Sequence, residues 1–346
     1  MNTSPNAAHP GNQPPACTGI LLTNLGTPEA PTPAALRRYL GEFLWDPRVV
    51  NSPRILWWLI LHGVILRTRP RRSAAAYRKV WTEAGSPLLD ISRRQAERLQ
   101  QALATAASPP PLVVLAMRYG QPSIATGLDR LRQANATRVL ILPLYPQYSA
   151  ATTASTFDAV ARTYRDWPRL PELRMVMHYH DHPAYIAALA ESIRDHWQEH
   201  GRGGRLLFSF HGIPQDYFEA GDPYPCECRK TARLVAEALE LPEDDWALAF
   251  QSRFGPRAWV QPYTDATLRE WAGHGCKRVD VICPGFTADC LETLEEIALR
   301  YRALFLDAGG EEFHYIPALN DGDAHVEALA GLVREHIAGW PDSRPG

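Results

Sequence analysis

The sequence predicts an α/β protein made of two similar halves, each a four-stranded parallel sheet flanked by helices. Three observations lead there. Eight short apolar runs of strand type recur along the 346 residues, four on either side of about residue 178. Segments with helical periodicity separate most of them, and this alternation is the mark of right-handed βαβ units. The loops after the runs are rich in Gly, Pro, aromatic and polar residues, and parallel sheets bind ligands outside the carboxyl ends of their strands.

The first run, 19–26 (GILLTNLG), closes on Thr27-Pro28 and reads as a buried strand entering a loop. Pro33 then opens a helix with Leu36, Tyr39, Leu40 and Phe43 at helical spacing. Residues 55–66, ILWWLILHGVIL, form an apolar stretch of twelve, short of the roughly 20 that a membrane-spanning helix needs. The stretch is either a core helix or an exposed lip for a flat apolar ligand or a membrane surface. Its tryptophans and flanking arginines suit an interface. The basic RTRPRRSAAAYRKV that follows is a solvated face or a holder of carboxylates.

Further strands are expected at 112–116, 139–142 and 173–177, then at 206–210, 247–250, 279–283 and 313–316. Helices are expected at 92–106, 124–134, 183–200, 231–239, 265–273 and 288–302, with an amphipathic helix at 324–337 packing back on the first half. The expected division is a disordered leader at 1–16, a first domain at 17–178 joined by the helix at 324–340, and a second domain at 179–323.

Composition narrows the function. The chain is 45% apolar and 21% charged, and its net charge of −2 arises from 36 basic and 38 acidic residues. Nothing there attracts a polyanion, so no nucleic-acid partner is expected. No loop carries GxGxxG or GxxxxGK[ST], so no nucleotide is expected either. The six cysteines (Cys17, Cys226, Cys228, Cys276, Cys283 and Cys290) lack CxxC pairing, and no secretion signal is evident. The expected setting is a reducing cytoplasm.

Two stretches carry the chemistry. RLLFSFHGIP (205–214) delivers His211 from an apolar strand onto a Gly-Ile-Pro turn, where a neutral imidazole serves as general base or metal ligand. VICPGFTADCLETLEEI (281–297) ends a strand in a Pro-Gly turn and opens a helix carrying Asp289, Glu292 and Glu296. Their i, i+3, i+7 spacing places three carboxylates on one helical face, Glu292 being the strongest candidate. Cys226 and Cys228 do not suffice for a metal cluster, which needs three or four ligands. Tyr148 and Trp259, on post-strand loops, are candidate walls for a flat ligand.

Taken together, LLTNLGTP, LRRYLGEFLWDPRVV, LHGVILRTRP, LPLYPQYS, FSFHGIP, GDPYPCEC, FQSRFGPRAWVQPYTD, CPGFTADCLETLEEI and YIPALN resemble the ferrochelatase family, in order from about residue 19 to 320 and in its proteobacterial form. The resemblance implies two Rossmann-like halves (the chelatase fold) with a porphyrin between them and a lip from the first half. It implies insertion of Fe(II) into protoporphyrin IX, with His211 and Glu292 handling metal and protons and Glu296 and Asp289 behind them. Arg69, Tyr77 and Ser86 match the family's porphyrin contacts, the last two across a small insertion. No cysteine follows Cys290, so the [2Fe–2S] cluster of some relatives is not expected, nor any cofactor beyond substrate iron. Possible membrane contact is confined to 55–66. Alternatives are a chelatase for coproporphyrin III or for another metal, and a non-catalytic tetrapyrrole carrier.

Overall fold

The computed structural model describes residues 14–104 and 109–340. Most of the expected leader, 1–13, lies outside the described residues. Eight parallel strands form two four-stranded sheets of identical topology. The first has the order β2-β1-β3-β4, with β1 Cys17–Gly26, β2 Leu112–Tyr119, β3 Ala136–Pro143 and β4 Glu172–Met175. The second has the order β6-β5-β7-β8, with β5 Arg205–His211, β6 Trp246–Gln251, β7 Arg278–Ile282 and β8 Glu312–Ile316. Every expected apolar run is a strand.

Alternate strand residues face different cores, as the period of two requires. In the first sheet Leu21, Val139 and Ile141 pack outward, under α5 (Ile124–Gln133) and α6 (Ser155–Tyr164). Ile20, Leu22, Leu140 and Leu142 pack inward, into one continuous core shared with Phe208 and Phe210 of the second sheet. Each such buried side chain contributes about 1.5–3 kcal/mol. That core also takes in α4 (Pro87–Ala104), α7 (Pro183–His200), α9 (Tyr224–Ala238) and α12 (Asp323–Ile337). A separate core under β5 and β7 is closed by α10 (Thr264–Gly273) and α11 (Arg302–Asp307). The short α8 (Gln215–Glu219) follows the His211 turn.

Between β1 and β2 the chain builds the arm. α1 (Pro33–Trp45) starts where Thr32 caps the Ala35 N–H and Pro33 takes the first turn. α2 (Arg54–Ile60), a π turn at Leu61–Ile65 and α3 (Leu66–Val80) then run on without a break. α2 has no buried residue, and Ile55, Leu56, Trp58 and Leu59 are at least half exposed, at 82%, 55%, 50% and 55%. The core-helix alternative for 55–66 is therefore wrong for its first turns, which form an exposed apolar edge, whereas Leu61 and Leu66 enter the arm's core. Trp57 is different: its indole N–H donates to the Leu44 carbonyl at 2.7 Å and its ring packs on the arm's own core.

Some boundaries moved. α9 begins at Tyr224 rather than 231, because Pro225 stands where a first turn tolerates proline. α6 was not expected at all: its AATTASTF lead is rich in Ser and Thr, which compete for backbone hydrogen bonds and obscure a helix. The expected α-helix at 288–302 is instead a π-helix over Glu292–Tyr301 that passes into α11.

Candidate active site

In a sheet of this order the crevice opens where successive crossovers leave in opposite directions. In the second half that point lies between β5, with β6 on one side, and β7 on the other. The two loops leaving it carry His211 and the approach to Glu292. Topology and chemistry thus select the same place.

His211 ends β5, opposite Gln251 of β6. Its Nδ1 lies 2.6 Å from the Gly212 carbonyl. A carbonyl only accepts, so Nδ1 carries the proton and Nε2 keeps its lone pair free. Gly212 is closely enclosed here: an added Cβ would lie 3.1 Å from the Gln251 carbonyl and 3.2 Å from the Trp259 ring, so a side chain would press on both. Around the imidazole stand Trp259 and Phe286, at 6.4 and 6.5 Å between centroids, and Phe254 packs on Trp259 at 4.9 Å.

Glu292 opens the π-helix and is half-buried. π-helical turns are rare and concentrate at functional sites. The loop before it is tied down from several directions. Tyr185 donates its hydroxyl to the Pro284 carbonyl, and Gln95 donates to the Thr287 carbonyl at 2.7 Å. The side-chain amide of Gln251 donates to the Glu292 main-chain carbonyl at 3.0 Å. Gln251 is 1% exposed and also receives the Gly212 N–H at 2.8 Å, so one residue links both candidate elements.

The arm meets this helix. Leu291 packs into the arm's core, and Lys79 pairs with Glu295 at 2.9 Å. Burial pushes the Tyr77 phenol well above its ordinary value and the Glu292 charge adds to it. Arg69 also lies within the field of Glu292, and its guanidinium sits 5.1 Å over the Phe254 ring. Arg69, Tyr77, Trp259, His211 and Glu292 are therefore brought together. Ser86 is buried, receiving the Thr27 hydroxyl at 2.7 Å, and Thr27 in turn bonds Tyr77. Tyr148 stands with other partners: its N–H goes to Glu227, and its charged neighbours are Asp222, Arg48 and Asp158.

Of the three expected carboxylates only Glu292 and Glu296 lie on the helix. Asp289 lies ahead of the helix and accepts from Thr293, Tyr315 and Asn320 at 2.9, 2.5 and 2.8 Å. Glu296 accepts from the Tyr301 hydroxyl at 2.9 Å, from the Ser252 N–H at 3.2 Å and from the Ser252 hydroxyl. Both are buried and fully engaged, whereas among the described side chains Glu292 has only the buried Cys290 thiol as a hydrogen-bonding neighbour. Gln251, Phe254 and Phe286 were missed from the sequence. A polar residue closing the apolar strand WALAFQ was the available signal for Gln251.

Paired parallel sheets of this kind are shared with solved chelatase structures. SirB from Bacillus subtilis with Fe3+ superposes with a TM-score of 0.54 at 13% identity, covering 93% of this chain and 96% of that one. CbiX, described as the terminal enzyme for siroheme biosynthesis in denitrifying bacteria, gives 0.51 at 14%, covering 92% and 100%. The architecture is that of the chelatases. A model of the ferrochelatase family matches residues 17–337. The ferrochelatase of Thioalkalivibrio sulfidiphilus is 59% identical over 96% of this chain and 90% of its own. That of Nitrosococcus oceani is 58% identical over 95% and 89%. The chain belongs to the ferrochelatase family.

Proposed function

We propose that the chain inserts Fe(II) into protoporphyrin IX to give protohaem, as a lyase of haem biosynthesis. The observation that carries this is the family match over 17–337 with relatives at 59% and 58% identity. It favours insertion over a non-catalytic carrier or a chelatase for another tetrapyrrole.

Insertion exchanges two pyrrole N–H protons for one Fe(II), so the site must accept protons and present a metal. His211 Nε2, left free by the Nδ1 bond to Gly212, takes a pyrrole proton or presents iron on one face of the macrocycle. The Glu292 carboxylate, in the opening turn of the π-helix, serves the complementary role. Glu296 and Asp289 hold the surrounding hydrogen bonds rather than relay protons freely. A flat macrocycle hides its nitrogens, so a rigid aromatic wall of Trp259, Phe254 and Phe286 favours the bent form that approaches the transition state. Arg69 pairs with a porphyrin carboxylate, Tyr77 and Ser86 support that edge, and Tyr148 bounds the far side. The reading needs no cofactor beyond substrate iron, and no nucleotide or nucleic acid.

The first domain (17–178 with 324–340) then supplies the lip and the second (179–323) the reacting groups. The exposed edge of α2 rests against a membrane surface from the cytoplasmic side. No helix among the described residues is long and apolar enough to cross one.

The test is anaerobic mixing with Fe(II) and protoporphyrin IX. Loss of porphyrin fluorescence with growth of a haem spectrum is expected. Unchanged free-base absorption means binding alone, and faster turnover of coproporphyrin III reassigns the substrate.

A further inference from the structure

Away from His211 and Glu292, one group of ligand-type side chains among the described residues has its donor atoms within 4.8 Å of one another: His178, His180 and Glu227. The histidines lie two apart in the turn between β4 and α7, their rings 5.0 Å apart. Glu227 projects from the first turn of α9. His178 Nδ1 is 2.7 Å from one carboxylate oxygen and His180 Nδ1 is 3.3 Å from the other.

Glu227 accepts at both oxygens, from His178 and from the Tyr148 N–H, but the buried imidazole beside it is unsatisfied. His180 is 5% exposed, yet its Nδ1 has no hydrogen-bond partner, since its approach to Glu227 lacks the alignment of one. Glu227 is 8% exposed. A buried ring nitrogen and a buried carboxylate converging without a shared hydrogen bond is an unfavourable arrangement unless something sits between them. Lys230 does not fill that role, being paired with Asp181. Two imidazoles and a carboxylate are the donor set of borderline divalent first-row ions. Tetrahedral coordination at ordinary bond lengths sets donors about 3.3 Å apart. The His180–Glu227 pair already has that separation, and the His178–Glu227 pair needs to open only slightly.

We propose that His178, His180 and Glu227 form a second metal site, for a divalent transition ion such as Zn(II) or Fe(II), separate from the site of insertion. His178 is exposed, which gives the ion its entry path and leaves a fourth position to water. Glu227 also receives the Tyr148 N–H at 2.6 Å, and Gln147 donates to Thr231 one turn along α9 at 3.0 Å. The ion therefore braces the loop after β3 in the first half against a helix of the second.

Zn(II) is the probe because it is redox-inert. The full chain is dialysed against micromolar Zn(II), and bound metal is counted by elemental analysis. Wild type is expected to hold one equivalent more than His178→Ala, whose insertion rate in Zn-free buffer is unchanged. Glu227→Gln keeps an acceptor for Tyr148 and is expected to lose the same equivalent. Zn(II) raises the melting temperature of wild type through this site and raises that of neither variant as far. Equal stoichiometry in wild type and both variants overturns the proposal. So does loss of all Zn(II) binding in His211→Ala alone, which would place every bound ion at the insertion site.

Discussion

Gln251 holds Glu292 through its side chain and the His211 turn through its main chain. Its amide reaches the Glu292 carbonyl at 3.0 Å while its own carbonyl takes the Gly212 N–H at 2.8 Å. The Ser209 hydroxyl donates to the other end of the same amide at 2.7 Å, so its orientation is fixed. Gln251→Ala removes the donor and leaves the Glu292 carbonyl free to shift. Supporting residues of this kind are worth about 10–100-fold in activity. The expected outcome is a fall of that size in kcat with little change in porphyrin KM. Gln251→Glu fills the same space without a donor and should lose as much. A variant with normal kcat but a lowered melting temperature would make the residue merely structural.

Replacing the two proposed reacting groups should separate binding from chemistry. His211→Ala and Glu292→Gln are each expected to lower insertion by at least about 100-fold. Porphyrin affinity, read by fluorescence quenching, should stay within a few-fold, because the proposed porphyrin contacts Arg69, Tyr77 and Trp259 are untouched. Retained turnover in either variant would move the chemistry elsewhere.

Asp289→Asn and Glu296→Gln test the carboxylates assigned to structure. Each accepts from at least two neighbours in a buried setting, so weakening those bonds should destabilise the fold by about 1–3 kcal/mol. Melting temperature is expected to fall more visibly than kcat measured well below it. A large kcat loss with unchanged stability would restore a proton-relay role.

How much of this was legible follows from where each signal comes from. Strands buried on both faces read as unbroken apolar runs, so LLFSF and VLIL announced β5 and β3 without any alignment. His211 was visible because it ends such a run just before a Gly-Ile-Pro turn, and Glu292 because it follows one through a Pro-Gly turn. The sequence already favours Glu292, but spacing still sets Asp289 on its helical face, because spacing arguments assume 3.6 residues per turn, and Asp289 precedes a helix that leaves α geometry at Glu292. Trp57 and Trp58 are adjacent and look equivalent in sequence, yet one anchors the arm and the other faces outward. Gln251 offered only its place as a polar end to WALAFQ, because its bond goes to a main-chain carbonyl, which leaves no mark in the partner's side chain.

That distinction decides how the apolar edge should be probed. Ile55→Ser with Trp58→Ser alters only outward-facing side chains. The pair should lower co-sedimentation with liposomes while leaving the melting temperature within a degree or two. Trp57→Ser should do the reverse, since its indole bond to Leu44 and its packing are lost. Unchanged liposome binding in the Ile55/Trp58 variant would remove the membrane role.

Acid sensitivity should arise in part from His325. The residue is fully buried and donates Nδ1–H to the Asn320 carbonyl at 2.6 Å, while its Nε2 has no partner. Burial penalises the imidazolium and lowers its pKa from 6.5 to about 4, opposed only by that one bond. The unfolded chain therefore binds the proton first, and stability rises with pH between about 4 and 6.5. The contribution is complete above 6.5 and is lost as pH falls towards about 4. Between pH 7 and pH 5 the expected loss from this residue is about 2 kcal/mol. Urea unfolding at the two pH values measures it, and His325→Gln supplies the comparison because it cannot ionise. The variant should be less stable than wild type at pH 7 and should close most of that gap at pH 5. Parallel pH profiles for the two proteins would mean that the acid sensitivity lies in other groups.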